Sequence, residues 1–295
     1  MSRSVEVLRT GASVLVQDDG RPGHAHLGVP RSGWLDPDDA RRANRLVGNP
    51  DDQAVLECLL GGLRLRTTTA MTVAVTGAVC SLTAGGRAVA FGEPVSLAGG
   101  DELVLGTPVS GLRCYVALAG GVAVAPVLGS RSTDTLSGVG PPRVQVGDVL
   151  PVGPAVGDPS PAEGVTRSRQ DGVVLGLWPG PRADWFADAA LATLTTATYV
   201  VDADSDRVGL RLDGPSLERR RAGELPSEGI VLGAVQVPAD GRPLVFLRDH
   251  PTTGGYPVVA VVDVADLGRC AQVRPGDEIT FRWRAAPRRV SAEVG

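Results

Sequence analysis

The chain contains no lysine, so every fixed positive side chain among its 295 residues is an arginine. That absence excludes Schiff-base chemistry and a Walker-type phosphate loop, both of which need a lysine amine. It also excludes biotin carried covalently on this chain. Any bound anion has to be met by arginine, backbone amides or a helix N-terminus. Arginine favours bidentate recognition of carboxylate or phosphate.

Other absences narrow the class further. The four cysteines, Cys58, Cys80, Cys114 and Cys270, form no Cys-x-x-Cys pair. This argues against a zinc ribbon and suits reduced thiols in a cytoplasmic protein. No His-Glu-x-x-His, EF-hand loop or Gly-x-Ser-x-Gly elbow is present, which removes the common zinc-protease, calcium-loop and serine-hydrolase readings. His24-x-His26 has no obvious third ligand, and no metal site is assigned to it. The N-terminus lacks the apolar stretch of a secretory signal. The longest apolar run, Tyr115–Gly129, is too short and glycine-rich to span a bilayer. Net charge is -4 with both signs interspersed, so neither nucleic acid nor membrane is an expected partner.

What is abundant is glycine (39) and proline (23), separating short β-rich runs. These are Val5–Leu8, Ser13–Gln17, Met71–Thr76, Glu102–Leu105, Arg113–Ala119, Val173–Leu177, Ile230–Val235, Leu244–Leu247, Val258–Val262 and Glu278–Trp283. Such spacing indicates a mainly β chain of barrels or sandwiches with a few short helices. The clearest helix begins at Asp36-Pro37, with a capping acid, proline at the first turn, and Ala40, Ala43, Leu46 and Val47 on one face. Pro181–Thr193 and Val264–Ala271 are further candidates. Gly100-Asp101, Gly147-Asp148 and Gly276-Asp277 each precede a β-like run, a weak internal echo. Val152–Arg169, rich in Pro, Gly, Asp and Ser, reads as a linker. It would separate an N-terminal domain (1–151) from a C-terminal one (170–288).

Five polar segments carry the candidate chemistry. Gln17–Gly33 holds Asp18, Arg21 and Arg31 between a strand and a capped helix, a setting suited to an anion. Asp18 and Arg21 could equally pair with each other and pin the loop. Glu57 follows an apolar run, and a buried carboxylate there needs an arginine partner or a function. Gly129–Thr133 sets Arg131 among the hydroxyls of Ser130, Ser132 and Thr133. Ser227 and Glu228 precede a strand that ends near Gln236. Asp249–Pro257 offers Thr252, Thr253, Gly254, Gly255 and Tyr256 on one connection, where paired glycines let backbone approach a ligand. The plainer reading of that connection is a polar hairpin turn.

Taken in this order and spacing, the segments resemble the biotin-dependent carboxyltransferase family, also called allophanate hydrolase subunit 2, and within it the C subunits of 5-oxoprolinases. The resemblance rests on Gln17-Asp18-x-Gly20-Arg21-x-Gly23, Gly28-Val29, Ser32-Gly33, Asp36, Ala43-Asn44, Leu46–Asn49, Glu57, Gly129–Thr133, Asp206-Arg207-x-Gly209, Ser227–Gly229, Gln236-x-Pro238 and Thr252–Pro257. Pro251 and Cys58 depart from the pattern.

The resemblance implies two cyclophilin-like β-barrel subdomains, a tight hetero-oligomeric partner (the B subunit of 5-oxoprolinase) and a third protein, its A subunit. Together these would hydrolyse 5-oxo-L-proline to L-glutamate with ATP, whose site, with Mg, would be shared with the B subunit. Asp18, Arg21, Glu57 and Gln236 are the expected catalytic positions. Arg131, Ser132, Ser227, Glu228 and Thr252–Tyr256 are the expected substrate- and anion-binding positions, drawn from both halves of the chain into one pocket. Relatives in this family carboxylate urea from carboxybiotin or antagonise a kinase inhibitor, and these are the alternatives.

Overall fold

Strand β10 (Arg113–Leu118) shows how the first half of the chain folds. Its side chains alternate between two cores: Cys114, Val116 and Leu118 face one, Tyr115 and Ala117 the other. Period-two alternation with both faces buried turns the strand into one apolar run. The structure, a computed structural model, describes residues 3–160, 172–221, 223 and 225–284. It divides into two units, Met1–Gly23 with Arg31–Arg169, and His24–Pro30 with Gln170–Gly295.

The first unit contains, in order, β1 (Ser4–Arg9), β2 (Ser13–Gln17), α1 (Pro37–Leu46), β3 (Val55–Leu59), β4 (Arg64–Thr67), β5 (Met71–Gly77), β6 (Leu82–Ala84), β7 (Arg87–Val89), β8 (Val95–Leu97), β9 (Glu102–Leu105), β10 and β11 (Val149–Pro151). Six strands form one sheet in the order β11-β1-β4-β9-β6-β7, and five form another in the order β2-β3-β10-β5-β8. Apolar residues of both sheets, among them Val7, Leu65, Leu105, Val14, Leu56 and Val116, build one core. The other face of the five-stranded sheet carries α1 through Ala40, Ala43 and Leu46. That helix starts as its sequence dictates: the Asp36 side chain accepts from the Asp39 amide, proline occupies the first turn, and Asp38 and Asp39 meet the positive dipole end.

The second unit contains β12 (Val173–Pro179), α2 (Asp188–Thr196), β13 (Thr198–Val201), β14 (Gly209–Asp213), β15 (Glu228–Gly229), β16 (Ala234–Gln236), β17 (Leu244–Phe246), β18 (Thr253–Gly254), β19 (Val258–Val262), α3 (Leu267–Cys270) and β20 (Glu278–Trp283). Seven strands close into a barrel in the order β12-β19-β16-β17-β14-β13-β20. Closure comes from the parallel pairing of β12 with β20. The mainly β class with few, short helices is therefore what the molecule adopts. Among the described residues, no helix is long and apolar enough to cross a membrane.

The Gly-Asp echo is a repeated turn. At Gly100, Gly147 and Gly276 φ is 92°, 93° and 87°, the left-handed region that glycine tolerates. Each following aspartate accepts from the amide three residues back, at 2.9 Å for Asp101, 2.8 Å for Asp148 and 2.8 Å for Asp277. The same local chemistry launches β9, β11 and β20.

Several expectations are corrected. Leu244–Leu247 and Val258–Val262 do not form a hairpin, because β16 lies between β17 and β19 and pairs with both. The expected strand Ile230–Val235 begins only at Ala234, since Gly233 takes φ 81° and the Ala234 amide turns back to Val231 O at 3.1 Å. The single helix Pro181–Thr193 is instead a 3-10 turn at Ala183–Trp185 followed by α2. Phe186 is extended there and bridges to Arg219, which interrupts the helical path. Residues 161–169 of the expected linker, and 170, 171, 222, 224 and 285–288 of the expected C-terminal domain, lie outside the described residues. The earlier part of the linker belongs to the first unit, where Val152 N donates to Arg3 O at 2.9 Å and Gly153 N to Gly121 O at 3.1 Å.

Candidate functional site

In the first unit, Asp18 follows the end of β2 and its carboxylate organises the Gly129–Thr133 loop. Its Oδ1 accepts from Ser130 Oγ at 2.5 Å, Ser132 Oγ at 2.6 Å and Gly20 N at 2.9 Å. Its Oδ2 accepts from the Arg131 amide at 2.5 Å. Bonds to an ionised acceptor are the strong ones, so this single side chain fixes three successive residues 130–132. The loop is further held by Gln17 Nε2 and Ser32 Oγ, which donate to Thr133 O at 2.8 and 3.1 Å. Ser32 reaches that carbonyl from a left-handed conformation, φ 55°.

The two arginines of this network have different environments. Arg21 is only 1% exposed, and its guanidinium donates to Ser132 O and to Val127 O. It is a buried clamp on the loop. Arg131 is half-buried. Its Nε donates to Val124 O at 2.8 Å, which aims the guanidinium, and among the described residues it forms no ion pair. Of the two, Arg131 is the more accessible. Ser130 and Ser32 join this network although neither stood among the expected site positions. The Ser-x-Ser repeat around Arg131 was the only available signal.

Glu57 lies on β3, buried, with Arg113 of the neighbouring β10 3.5 Å away. Its Oε2 accepts from the Leu35 amide at 3.2 Å. Beside it, burial and then the Glu57 charge push the Tyr115 hydroxyl well above its ordinary range. Tyr115 Oη in turn accepts from the Asp36 amide at 2.9 Å. These groups tie the start of α1 to the sheet. Breaking this buried pair by removing one charge would be costly. Glu57 thus sits in a paired, enclosed setting, as the structural reading of that residue requires.

In the second unit, β15 and β18 form a two-stranded ladder in which Glu228 opposes Gly254 and Gly229 opposes Thr253. This brings Ser227 and Glu228 beside the Thr252–Tyr256 turn. Gln236 joins them, its Nε2 donating to Tyr256 O at 3.0 Å. Gly254 packs closely: a Cβ there would come within 2.6 Å of Ile230 Cδ1 and 3.0 Å of Gln236 Nε2, and those two side-chain ends would have to shift. The approach to the turn is fixed by a forked ion pair, Arg207 Nε and Nη2 to Asp249 at 2.9 and 3.2 Å, with Asp249 wholly buried. Glu228 pairs with Arg182, both about one-third exposed, and the guanidinium holds the Glu228 carboxyl below its ordinary range. Arg219 stacks over the Tyr256 ring at 5.9 Å. Arg182 and Arg219 were absent from the expected site, because nothing local in the sequence links them to residues 252–256. Among the described residues, no group of three or more His, Cys, Asp or Glu could hold a metal ion.

The profile of the carboxyltransferase domain, subdomains A and B, matches residues 27–283. The chain is 37% identical over 280 residues to the C subunit of 5-oxoprolinase from Escherichia coli, covering 94% of this chain and 90% of that protein. It is 32% identical over 304 residues to a urea amidolyase of Lachancea kluyveri, covering 94% of this chain but 17% of that enzyme. The crystal structure of the K. lactis urea amidolyase aligns with a TM-score of 0.90 at 32% identity, over 95% of this chain and 19% of that one.

Proposed function

The chain belongs to the carboxyltransferase domain family, subdomains A and B, and from that membership we propose that it is the C component of an ATP-dependent 5-oxoprolinase. With the A and B components it would hydrolyse 5-oxo-L-proline to L-glutamate, in the reducing cytoplasm where its cysteines stay as thiols. The observation that carries this reading is the match to the E. coli 5-oxoprolinase C component along 90% of that protein. The urea enzymes match only over a small fraction of their length.

The substrate is a lactam with a carboxylate, so the protein has to hold an anion and orient an unstrained amide. In the first unit Arg131 supplies the charge, and Asp18 acts as a positioning carboxylate that sets the Arg131 backbone. Arg21 and Ser132 stiffen the same loop. In the second unit the hydroxyls of Thr252 and Thr253 have no hydrogen-bond partner among the described residues, so both are accessible to a ligand. Gln236 holds that turn through the Tyr256 carbonyl. Fixed donors of this kind favour charge that develops in a reaction, because they need no reorganisation.

Nucleotide and Mg belong, in this reading, to a site shared with the B component, and no step here is routed through them. The test is reconstitution with the A and B components. Arg131→Ala and Thr253→Ala should each lower ATP-dependent glutamate release by about tenfold or more, up to the roughly 10²–10³-fold that loss of one preorganised donor can cost. Wild-type turnover in both would remove these roles. A urea carboxyltransferase is the second reading, favoured by the close superposition on urea amidolyase. It predicts activity that avidin abolishes.

A further inference from the structure

The cations of the second unit are not equally available. Arg207 is buried and forked onto Asp249, and breaking a buried pair is costly. Arg220 and Arg221 pair with Asp188 and Asp184. Arg219 donates to the carbonyls of Gly223 and Val237 and forms no ion pair among the described residues. Arg182 is tied both to the segment after the turn and to an acid of the ladder. Its backbone amide donates to Val258 O at 3.1 Å, just after the turn. Its guanidinium is forked onto Glu228, with Nε to Oε2 at 3.0 Å. Glu228 in turn opposes Gly254 in the ladder. The pair is about one-third exposed on each side, 35% and 33%, and exposed pairs contribute little.

A carboxylate forked onto an arginine occupies the geometry that an incoming oxyanion would use. We propose that Arg182 is the oxyanion ligand of the second unit and that Glu228 is its internal competitor, displaced when a ligand carboxylate or phosphate binds beside Thr252 and Thr253. This rests on the proposal that the turn binds an anion, and it reverses the role expected of Glu228: the acid opposes binding. Arg219, stacked on the Tyr256 ring, adds to the positive potential that draws the ligand in.

The test is calorimetric titration of the full chain, alone and with the A and B components, using 5-oxo-L-proline and separately inorganic phosphate. Glu228→Gln removes the competitor while keeping the side-chain shape, and should bind the anion about three- to fivefold more tightly, the scale of an exposed ion pair. Arg182→Gln should weaken binding by about tenfold or more, and the double variant should behave like Arg182→Gln. Thermal melting of each variant checks that the barrel is intact. Unchanged or weaker binding by Glu228→Gln overturns the proposal, as does unchanged binding by Arg182→Gln. If phosphate follows this pattern while 5-oxoproline neither binds nor turns over, the oxyanion site stands and the substrate assignment fails. If 5-oxoproline turns over normally in both variants, the assignment stands and the competitor proposal fails.

Discussion

Replacing Asp18 by asparagine separates a positioning role from a proton-transfer role. The carboxylate accepts four hydrogen bonds, from Gly20 N, Ser130 Oγ, Ser132 Oγ and Arg131 N. Asparagine can keep the three on Oδ1, now to a neutral acceptor. At the other position an NH2 group would face the Arg131 amide, which lies 2.5 Å from the present oxygen. A donor would then meet a donor. One charge-assisted bond is worth about 1.5–3 kcal/mol, and the remaining three weaken. Adding these gives a loss of about 2–4 kcal/mol, concentrated at residues 130–132. Urea unfolding reads the total, and amide hydrogen exchange at Arg131 reads where it falls. In the reconstituted enzyme, KM for 5-oxoproline should rise more than kcat falls. Stability within about 0.5 kcal/mol of wild type, with Arg131 protection kept and kcat alone reduced, would refute the positioning argument.

Two further outcomes follow from buried groups. Tyr199 is wholly buried in the barrel, and its hydroxyl has no hydrogen-bond partner among the described residues. Tyr199→Phe should therefore be neutral or stabilising by about 1 kcal/mol in urea unfolding. Burial also pushes this phenol up to about 12, whereas the unfolded chain releases the proton near pH 10. Its contribution to stability is full below about pH 10 and falls by about 2–3 kcal/mol as pH rises to about 12. Tyr199→Phe should lose stability less steeply than wild type over that window, and identical slopes would contradict the burial argument. Arg207→Met removes the forked guanidinium from the buried Asp249 carboxylate and should cost about 3–5 kcal/mol. A loss below about 1 kcal/mol would show that Asp249 is solvated or neutral.

Much of the fold was legible because local chemistry decided it. Helix α1 announced its cap, its proline and its apolar face, and β2, β9, β19 and β20 matched their runs residue for residue. What was hidden depends on partners far along the chain. The two-residue strands β15 and β18 exist only because they pair with each other, and no period can be read from two residues. Arg21 and Arg131 look equivalent in sequence. Only packing shows that one is enclosed and clamped while the other is half-open. Arg182, Arg207 and Arg219 acquire their roles through contacts 37 to 46 residues away, a distance over which composition carries no information.

The account is tested most directly by mixing the purified chain with the A and B components, ATP and 5-oxo-L-proline, and counting glutamate and ADP in the same reaction. It predicts that both rise together, only when all three proteins are present, and that avidin has no effect. Release of ADP without glutamate, or turnover undiminished when this chain is left out, would contradict it.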